Sequence, residues 1–177
     1  DNLRKGKNRS RYYSRKEHLY DTLAGNYSED CREVLLLLPN HRILNNEPAL
    51  AERIKVNMED GMRYVFCGSL DSELDGVVNS FTKSSLKVDL SDRLICLEVP
   101  DFLSAAYSYV IQNSSSHNLT QVFLRGFFVQ TNQLYPYSAI PLDDAHAIFL
   151  YNSLSPKIKK VLDREDSPGF RLVFPKK

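Results

Sequence analysis

Two residues with nucleophilic or acid–base chemistry stand beside apolar runs that are typical of buried strands. His41 follows one such run and Cys67 ends the next. A thiol becomes a nucleophile when a nearby base or a helix dipole lowers its pKa, and histidine is a common base. Asp71 and Glu73 complete a weak candidate set for an enzyme that acts on a nucleotide or a phosphate ester. A cysteine at the end of an apolar strand is more often a packing residue, so no catalytic role is assigned.

Polar residues after the same two runs are suited to binding. Ligands of open α/β sheets bind beyond the carboxyl ends of the parallel strands. This rule selects Asn40, His41 and Arg42 after the first run and Gly68 and Ser69 after the second. The asparagine, histidine and serine would form hydrogen bonds, the arginine would supply a counter-charge, and the glycine would allow a close backbone approach. The set predicts a site for a small anionic ligand or a protein partner.

The first sixteen residues are strongly basic, although the whole chain has a net charge of only +1. The basic residues are Arg4, Lys5, Lys7, Arg9, Arg11, Arg15 and Lys16. Because like charges repel, this run predicts a flexible arm or linker over residues 1–16, followed by one α/β domain over residues 17–177. The arm is also a candidate nucleic-acid-binding element, and a second basic segment at residues 157–164 could add phosphate contacts.

The histidines and cysteines lack the spacings that hold a metal ion. They are His18, His41, His117 and His146, with Cys31, Cys67 and Cys96. No HxH, HExxH or CxxC pattern occurs among them. The sequence therefore predicts no metal, no cofactor and no disulfide framework, and three separate thiols favour a reducing compartment.

The localisation prediction rests on the apolar runs of the sequence, which are too short to span a membrane. None approaches the roughly 20 residues that span a bilayer, and no signal peptide is recognisable. We therefore expect an intracellular, cytoplasmic protein without membrane contact. N-glycosylation patterns at Asn8, Asn26, Asn113 and Asn118 leave secretion as an alternative. The chain begins at Asp1, which favours a segment excised from a longer protein.

The first half of the chain alternates strand and helix patterns. Residues 33–38 form a strand pattern in which five consecutive apolar residues follow Glu33, and residues 48–60 place apolar side chains at every fourth position. A second strand at residues 62–67 and a second helical pattern at residues 74–81 follow. Gly61 stands where a helix ends with a residue of positive φ. The order predicts a βαβα unit with parallel strands.

The second half reads as short strands joined by turns. Strands are predicted at residues 94–99, 106–111, 121–124, 127–130, 145–151 and 170–174, with a surface helix at 157–164. The irregular connection at residues 132–144 is a candidate binding loop. Together these patterns predict an α/β fold whose mixed sheet is parallel in its first half and more antiparallel in its second, with helices packed against it.

One motif links the first helix to the second strand. It is N-x-x-x-G-x-x-Y, formed here by Asn57, Gly61 and Tyr64, and it follows an apolar strand that ends in Pro39. This arrangement, over about a fifth of the chain, resembles small α/β domains of the phospholipase-D-like superfamily that act as regulatory modules behind bacterial DNA-binding domains.

Active members of that superfamily carry an H-x-K motif, and this chain departs from it. The residues two positions after its histidines are Tyr20, Ile43, Leu119 and Ile148. The resemblance therefore implies a non-catalytic relative. We predict a non-enzymatic ligand-sensing or protein-interaction domain of a larger regulatory protein, with the phosphate-ester enzyme and the nucleic-acid-binding module as alternatives.

Overall fold

The computed structural model describes residues 11–12, 23–24, 31–37, 41, 44, 47–69, 74–83, 87–100, 109–114, 120–125, 138–141 and 144–175. The strands in these segments are β1 (Arg11–Tyr12), β2 (Cys31–Leu37), β3 (Arg63–Gly68), β4 (Leu94–Glu98), β5 (Tyr109–Ser114), β6 (Thr120–Arg125), β7 (Ser138–Pro141) and β8 (Arg171–Phe174). The helices whose bounds lie wholly within the described residues are α1 (Pro48–Glu59), α2 (Leu74–Thr82), α3 (Leu90–Arg93) and α4 (Asp144–Leu162), and residues 23–24 and 44 are also helical.

The strands form one mixed sheet in the order β1-β7-β6-β5-β2-β3-β4-β8. β2, β3 and β4 are parallel neighbours, and every other neighbouring pair is antiparallel. The predicted α/β fold with a mixed sheet is confirmed. Its parallel part is one strand longer than expected, because β4 runs parallel to β3. Four of the five β4 residues are buried, which suits an interior strand covered on both faces.

The three parallel strands bury side chains on both faces of the sheet. Val34 and Leu36 point to what we call the first face, and Leu35 and Leu37 point to the second face. Helices α1 and α2 pack on the first face, and α4 packs on the second. The fold therefore has a sheet between two helical layers.

Helix α1 forms because its sequence is amphipathic and begins with a proline. Pro48 occupies the first turn, where the missing N–H would have no helical partner. Leu50, Ile54 and Met58 follow at every fourth position and are buried against the first face. Burial of each of these side chains stabilises the fold by about 1.5–3 kcal/mol relative to exposure.

The end of α1 is set by Gly61, as the sequence predicts. Gly61 has a φ of 114°, which side chains with a Cβ disfavour. Its N–H donates to the Met58 carbonyl at 3.1 Å, and the Met62 N–H donates to the Asn57 carbonyl at 2.9 Å. This pair of bonds is a Schellman cap, which turns the chain directly into β3.

The strand predicted at residues 145–151 is wrong, because these residues belong to α4. A seven-residue apolar run fits either a buried strand or a buried helix, and periodicity alone does not separate them. The helical spacing of Leu154, Ile158 and Val161 continues from this run without a break. Pro156 lies inside the helix, which shows that the loss of one N–H donor does not end it here.

Other boundaries differ in smaller ways. β5 is described from Tyr109 to Ser114, while residues 106–108 of the predicted strand lie outside the described residues, and it pairs with β6 as the predicted hairpin, with Gln112 opposite Thr120. Strand β7 lies within the predicted loop at residues 132–144, so that connection is not wholly irregular. The strand predicted at residues 127–130 lies outside the described residues.

Two residues of the predicted basic arm belong to the sheet. Arg11 pairs with Ala139, and Tyr12 pairs with Ser138, in the short ladder between β1 and β7. The rest of residues 1–16 lies outside the described residues, so the division into an arm and one domain stays a prediction. Within the described parts of the chain, no helix combines the length and apolar character needed to cross a membrane.

Candidate functional site

His41 is buried beside the carboxyl ends of β2 and β3, where the sequence predicts a binding site. Its side chain is 1% exposed, and its Nε2 lies 3.2 Å from the Cys67 carbonyl oxygen. A carbonyl oxygen can only accept a hydrogen bond, so Nε2 must carry the proton. In the neutral ring, Nδ1 is then an acceptor with a free lone pair.

Nδ1 of His41 has no hydrogen-bond partner among the described residues. The ring stands edge-on to Phe66, with centroids 5.4 Å apart and an interplanar angle of 81°. It borders a partly open cavity of about 10 Å³ on the first face. The other walls are apolar: Leu23, Leu36, Leu44, Leu50, Ile54 and Phe66.

This environment fixes the charge of His41. Burial lowers the pKa of the imidazole to about 4, and the hydrogen bond to the Cys67 carbonyl opposes that shift only in part. The ring is therefore neutral at physiological pH. A buried acceptor without a donor costs about 1–3 kcal/mol, so a molecule that supplies the donor gains this free energy on binding.

The thiol of Cys67 lies on the opposite side of the sheet from this cavity. Side chains alternate along β3, so Phe66 packs on the first face and Cys67 packs on the second, among the residues that meet α4. Burial raises the pKa of the Cys67 thiol to about 12. The structure therefore brings the His41 ring to the Cys67 carbonyl and not to its thiol, and the predicted nucleophile–base pair is not formed.

The other predicted ligand residues divide between the described and undescribed parts of the chain. Gly68 ends β3, and its carbonyl accepts the Val99 N–H at 2.9 Å. Ser69 follows and is half-buried. The structure thus places His41, Gly68 and Ser69 at one edge of the sheet. Asn40, Arg42, Asp71 and Glu73 lie outside the described residues.

An ion pair that the sequence analysis missed marks the end of the next parallel strand. Glu98 ends β4 and accepts from Arg171 of β8, with 2.9 Å between Nε and Oε2. A second guanidinium nitrogen contacts the same oxygen. No sequence pattern connects residues 73 positions apart; the antiparallel register of β4 and β8 brings them together.

The motif residues Asn57, Gly61 and Tyr64 have a structural role. Tyr64 Oη donates to the Ala24 carbonyl at 2.5 Å. Asn57 Nδ2 lies 2.9 Å from that hydroxyl and 3.2 Å from the same carbonyl. These bonds fasten residues 23–24 to α1 and β3, and they hold Leu23 in the cavity wall. We call this group the Ala24 anchor.

The basic segment at residues 157–164 is mixed in character. Lys157 places its Nζ 5.3 Å above the Phe170 ring, which is a cation–π contact. Lys159 and Lys160 are exposed in the last turn of α4, where the helix dipole stabilises positive charges. The neighbouring exposed acids Asp163, Glu165 and Asp166 offset this charge. Of the basic residues of the predicted nucleic-acid-binding arm, only Arg11 falls within the described residues.

The described residues contain no group of three or more histidine, cysteine, aspartate or glutamate side chains that could hold a metal ion.

Comparison with known proteins identifies a similar fold. No family model and no curated protein matches the chain. A crystal structure of polyphosphate kinase from Porphyromonas gingivalis matches with a TM-score of 0.51 and 11% identity. The match covers 89% of this chain and 22% of the kinase chain, so the present chain spans about a fifth of that protein. At this identity the likeness concerns the fold.

Proposed function

We propose that this chain is a non-enzymatic ligand-sensing or protein-interaction domain of a larger regulatory protein. It binds a small anionic molecule or a protein partner at the carboxyl ends of β2 and β3. In this proposal Asn40, His41 and Ser69 form hydrogen bonds, Arg42 supplies a counter-charge, and Gly68 permits close approach.

One observation carries the proposal: His41, whose Nδ1 is a buried acceptor without a partner among the described residues, lines a partly open cavity at the sheet edge where α/β folds bind ligands. A binding site commonly combines apolar walls with a few convergent polar groups. The burial of the Cys67 thiol on the other face of the sheet also favours binding over a mechanism that uses this thiol.

The fold likeness agrees with the sequence resemblance. Polyphosphate kinase belongs to the phospholipase-D superfamily, which is the group that the N-x-x-x-G-x-x-Y arrangement resembles. The chain lacks that superfamily's H-x-K motif. A binding role on a fold of this type is therefore the more economical proposal.

A thermal-shift screen tests the proposal. The panel contains nucleotides, sugar phosphates and short oligonucleotides, each at low and high salt. A ligand at 100 times its dissociation constant adds about 2.7 kcal/mol of stability. We expect a salt-resistant shift with one small molecule, and loss of that shift in Arg42→Ala and Ser69→Ala but not in the surface control Lys159→Ala.

Two other outcomes would redirect the proposal. A shift that appears only with oligonucleotides and falls steeply with salt would favour the nucleic-acid-binding module, and deletion of residues 1–10 should then abolish it. That deletion leaves β1 intact. If no compound shifts the transition, the anionic ligand is refuted, and a protein partner is the remaining form of the proposal.

The second candidate is an enzyme that acts on a nucleotide or a phosphate ester. The fold likeness to a polyphosphate kinase is the observation that favours it. Turnover of any panel compound that is lost in His41→Ala or Cys67→Ala, with the fold retained, would support this candidate. Turnover that is unchanged in both variants would exclude these residues from the chemistry.

A further inference from the structure

We infer that the cavity beside His41 binds a hydroxyl-bearing, uncharged and otherwise apolar part of the ligand, which donates one hydrogen bond to Nδ1. This inference rests on the proposed function, because it names the chemistry of one part of the ligand at that edge of the sheet. The occupant class follows from His41, the one polar side chain among the described residues that line the cavity.

The direction of the hydrogen bond follows from the other ring nitrogen. Nε2 donates to the Cys67 carbonyl, so Nδ1 can only accept. An anionic oxygen would meet this lone pair without a donor, and a carbonyl or ether oxygen would be repelled in the same way. The bound group must therefore carry an O–H or an N–H.

The apolar lining of the cavity requires the bound group to be uncharged. Apart from His41, every described side chain that lines the cavity is aliphatic or aromatic. A cation such as an ammonium group would lose its hydration there and meet no carboxylate, which disfavours it strongly. A neutral hydroxyl loses far less and recovers a hydrogen bond at Nδ1.

The size of the cavity decides how much of the ligand enters. A volume of about 10 Å³ is near the minimum that holds one water molecule, roughly 10–15 Å³. A hydroxyl group has this size. Because the cavity is partly open, the apolar remainder of the molecule can extend out of it past the apolar side chains that line it.

A water molecule fits the cavity less well than an alcohol. Buried waters make about three hydrogen bonds, whereas Nδ1 is the one polar side-chain atom of the described lining that has no partner among the described residues. An alcohol needs a single acceptor for its hydroxyl and buries its carbon atoms against apolar walls. The ratio of polar to apolar lining thus favours an amphipathic ligand.

The test compares two isomers of equal composition, 1-butanol and diethyl ether, because only the alcohol has an O–H donor. Each is titrated into the intact chain, labelled with ¹⁵N in its histidine rings and with ¹³C in its leucine and isoleucine methyl groups. We expect the methyl signals of Leu50 and Ile54 to shift, with a dissociation constant roughly tenfold lower for the alcohol. The His41 Nδ1 signal should respond to the alcohol alone.

The variant His41→Phe should bind both isomers equally, since it keeps an aromatic ring and removes the acceptor. The Nδ1 signal in the unaltered chain needs no variant and keeps the test decisive if His41→Phe does not fold. The ring signals of the other three histidines serve as internal controls.

Three results would overturn the inference. One is equal affinity for the two isomers in the unaltered chain, and another is the absence of any response at Leu50, Ile54 and His41. The third is an Nδ1 signal already typical of a hydrogen-bonded ring that the alcohol does not change, which would assign the cavity to water. None of these results bears on the anion screen, because both isomers are uncharged, so the two proposals can fail separately.

Discussion

At the scale of single residues, His41 links the fold to solution pH. Its pKa is about 4 in the folded chain and about 6.5 when the residue is exposed by unfolding. Between these values the unfolded chain binds a proton that the folded chain excludes. The free energy of unfolding should therefore fall as pH decreases from about 6.5 to about 4, by about 3 kcal/mol in total.

Urea denaturation across this pH range measures the effect, with His41→Phe as the matched variant. The variant lacks the titrating ring, so its free energy of unfolding should fall by about 3 kcal/mol less over this pH range than that of the unaltered chain. Carboxyl groups such as Asp89, whose pKa is lowered by hydrogen bonds from the Ser91 backbone and side chain, are present in both proteins and cancel in the comparison. Parallel pH curves for the two proteins would show that His41 is not buried as a neutral ring.

Arg164 is the second residue with a direct prediction. It follows α4 with a φ of 64°. Its N–H donates to the Val161 carbonyl, and the Glu165 N–H donates to the Lys160 carbonyl. These two bonds form another Schellman cap. Glycine takes this left-handed conformation without the penalty of a Cβ. Arg164→Gly should therefore raise the free energy of unfolding by about 0.5–1 kcal/mol.

Lys159→Gly is the control for this substitution, because it lies inside α4 and should lower stability by about 1 kcal/mol. Thermal or urea unfolding measures both changes. If Arg164→Gly lowers the free energy of unfolding as much as the control does, the prediction is wrong. The arginine side chain would then stabilise the fold by more than its left-handed backbone conformation costs.

At the scale of elements, the Ala24 anchor ties residues 23–24, which precede β2, to helix α1 and strand β3. Tyr64→Phe removes the hydroxyl that donates to the Ala24 carbonyl and leaves the rest of the buried ring in place. We expect a loss of about 1–2 kcal/mol in the free energy of unfolding.

A double-mutant cycle with Asn57→Ala checks that the two side chains act together. Both bond to the same carbonyl and to each other, so their effects should not add. Additive losses, or no loss in Tyr64→Phe, would contradict the anchor. Because Leu23 lines the cavity, Tyr64→Phe should also weaken binding of 1-butanol.

The elements that sequence predicts best are those with an unambiguous period. Helix α1 carries apolar residues at every fourth position between a proline and a glycine, so both its face and its ends are readable. Residues 145–151 lack such a signal, because a short apolar run is compatible with strand or helix until its tertiary neighbours are known. The sequence pattern also does not predict that β4 runs parallel to β3. The direction of a strand depends on where the chain re-enters the sheet after the preceding helix, here α2.

The candidate site shows the same division. The rule for open α/β sheets selects His41 correctly as a residue at the carboxyl edge. It does not reveal that the ring is buried, because that follows from packing by Leu23, Leu44 and α1, which come from three separate segments. The proximity of His41 to Cys67 was also anticipated, yet strand alternation sends the thiol to the opposite face.

At the scale of the whole molecule, three adjacent parallel strands of the sheet bring their carboxyl ends to one edge. Helices α1 and α2 cover the first face near the cavity, and α4 covers the second face, where it encloses the Cys67 thiol. The architecture therefore separates a cavity with one polar acceptor from the buried thiol. This separation is the physical basis for the proposed binding role.

The most direct test of the account maps ligand contacts by backbone amide NMR, using the compound that gives the largest thermal shift in the nucleotide and sugar-phosphate screen. We expect chemical-shift changes in the segments after Leu37 and Gly68, including the His41 and Ser69 amides, with the compound recovered unchanged. Changes confined to residues 1–16 and the exposed face of α4, or conversion of the compound to a product, would contradict this expectation.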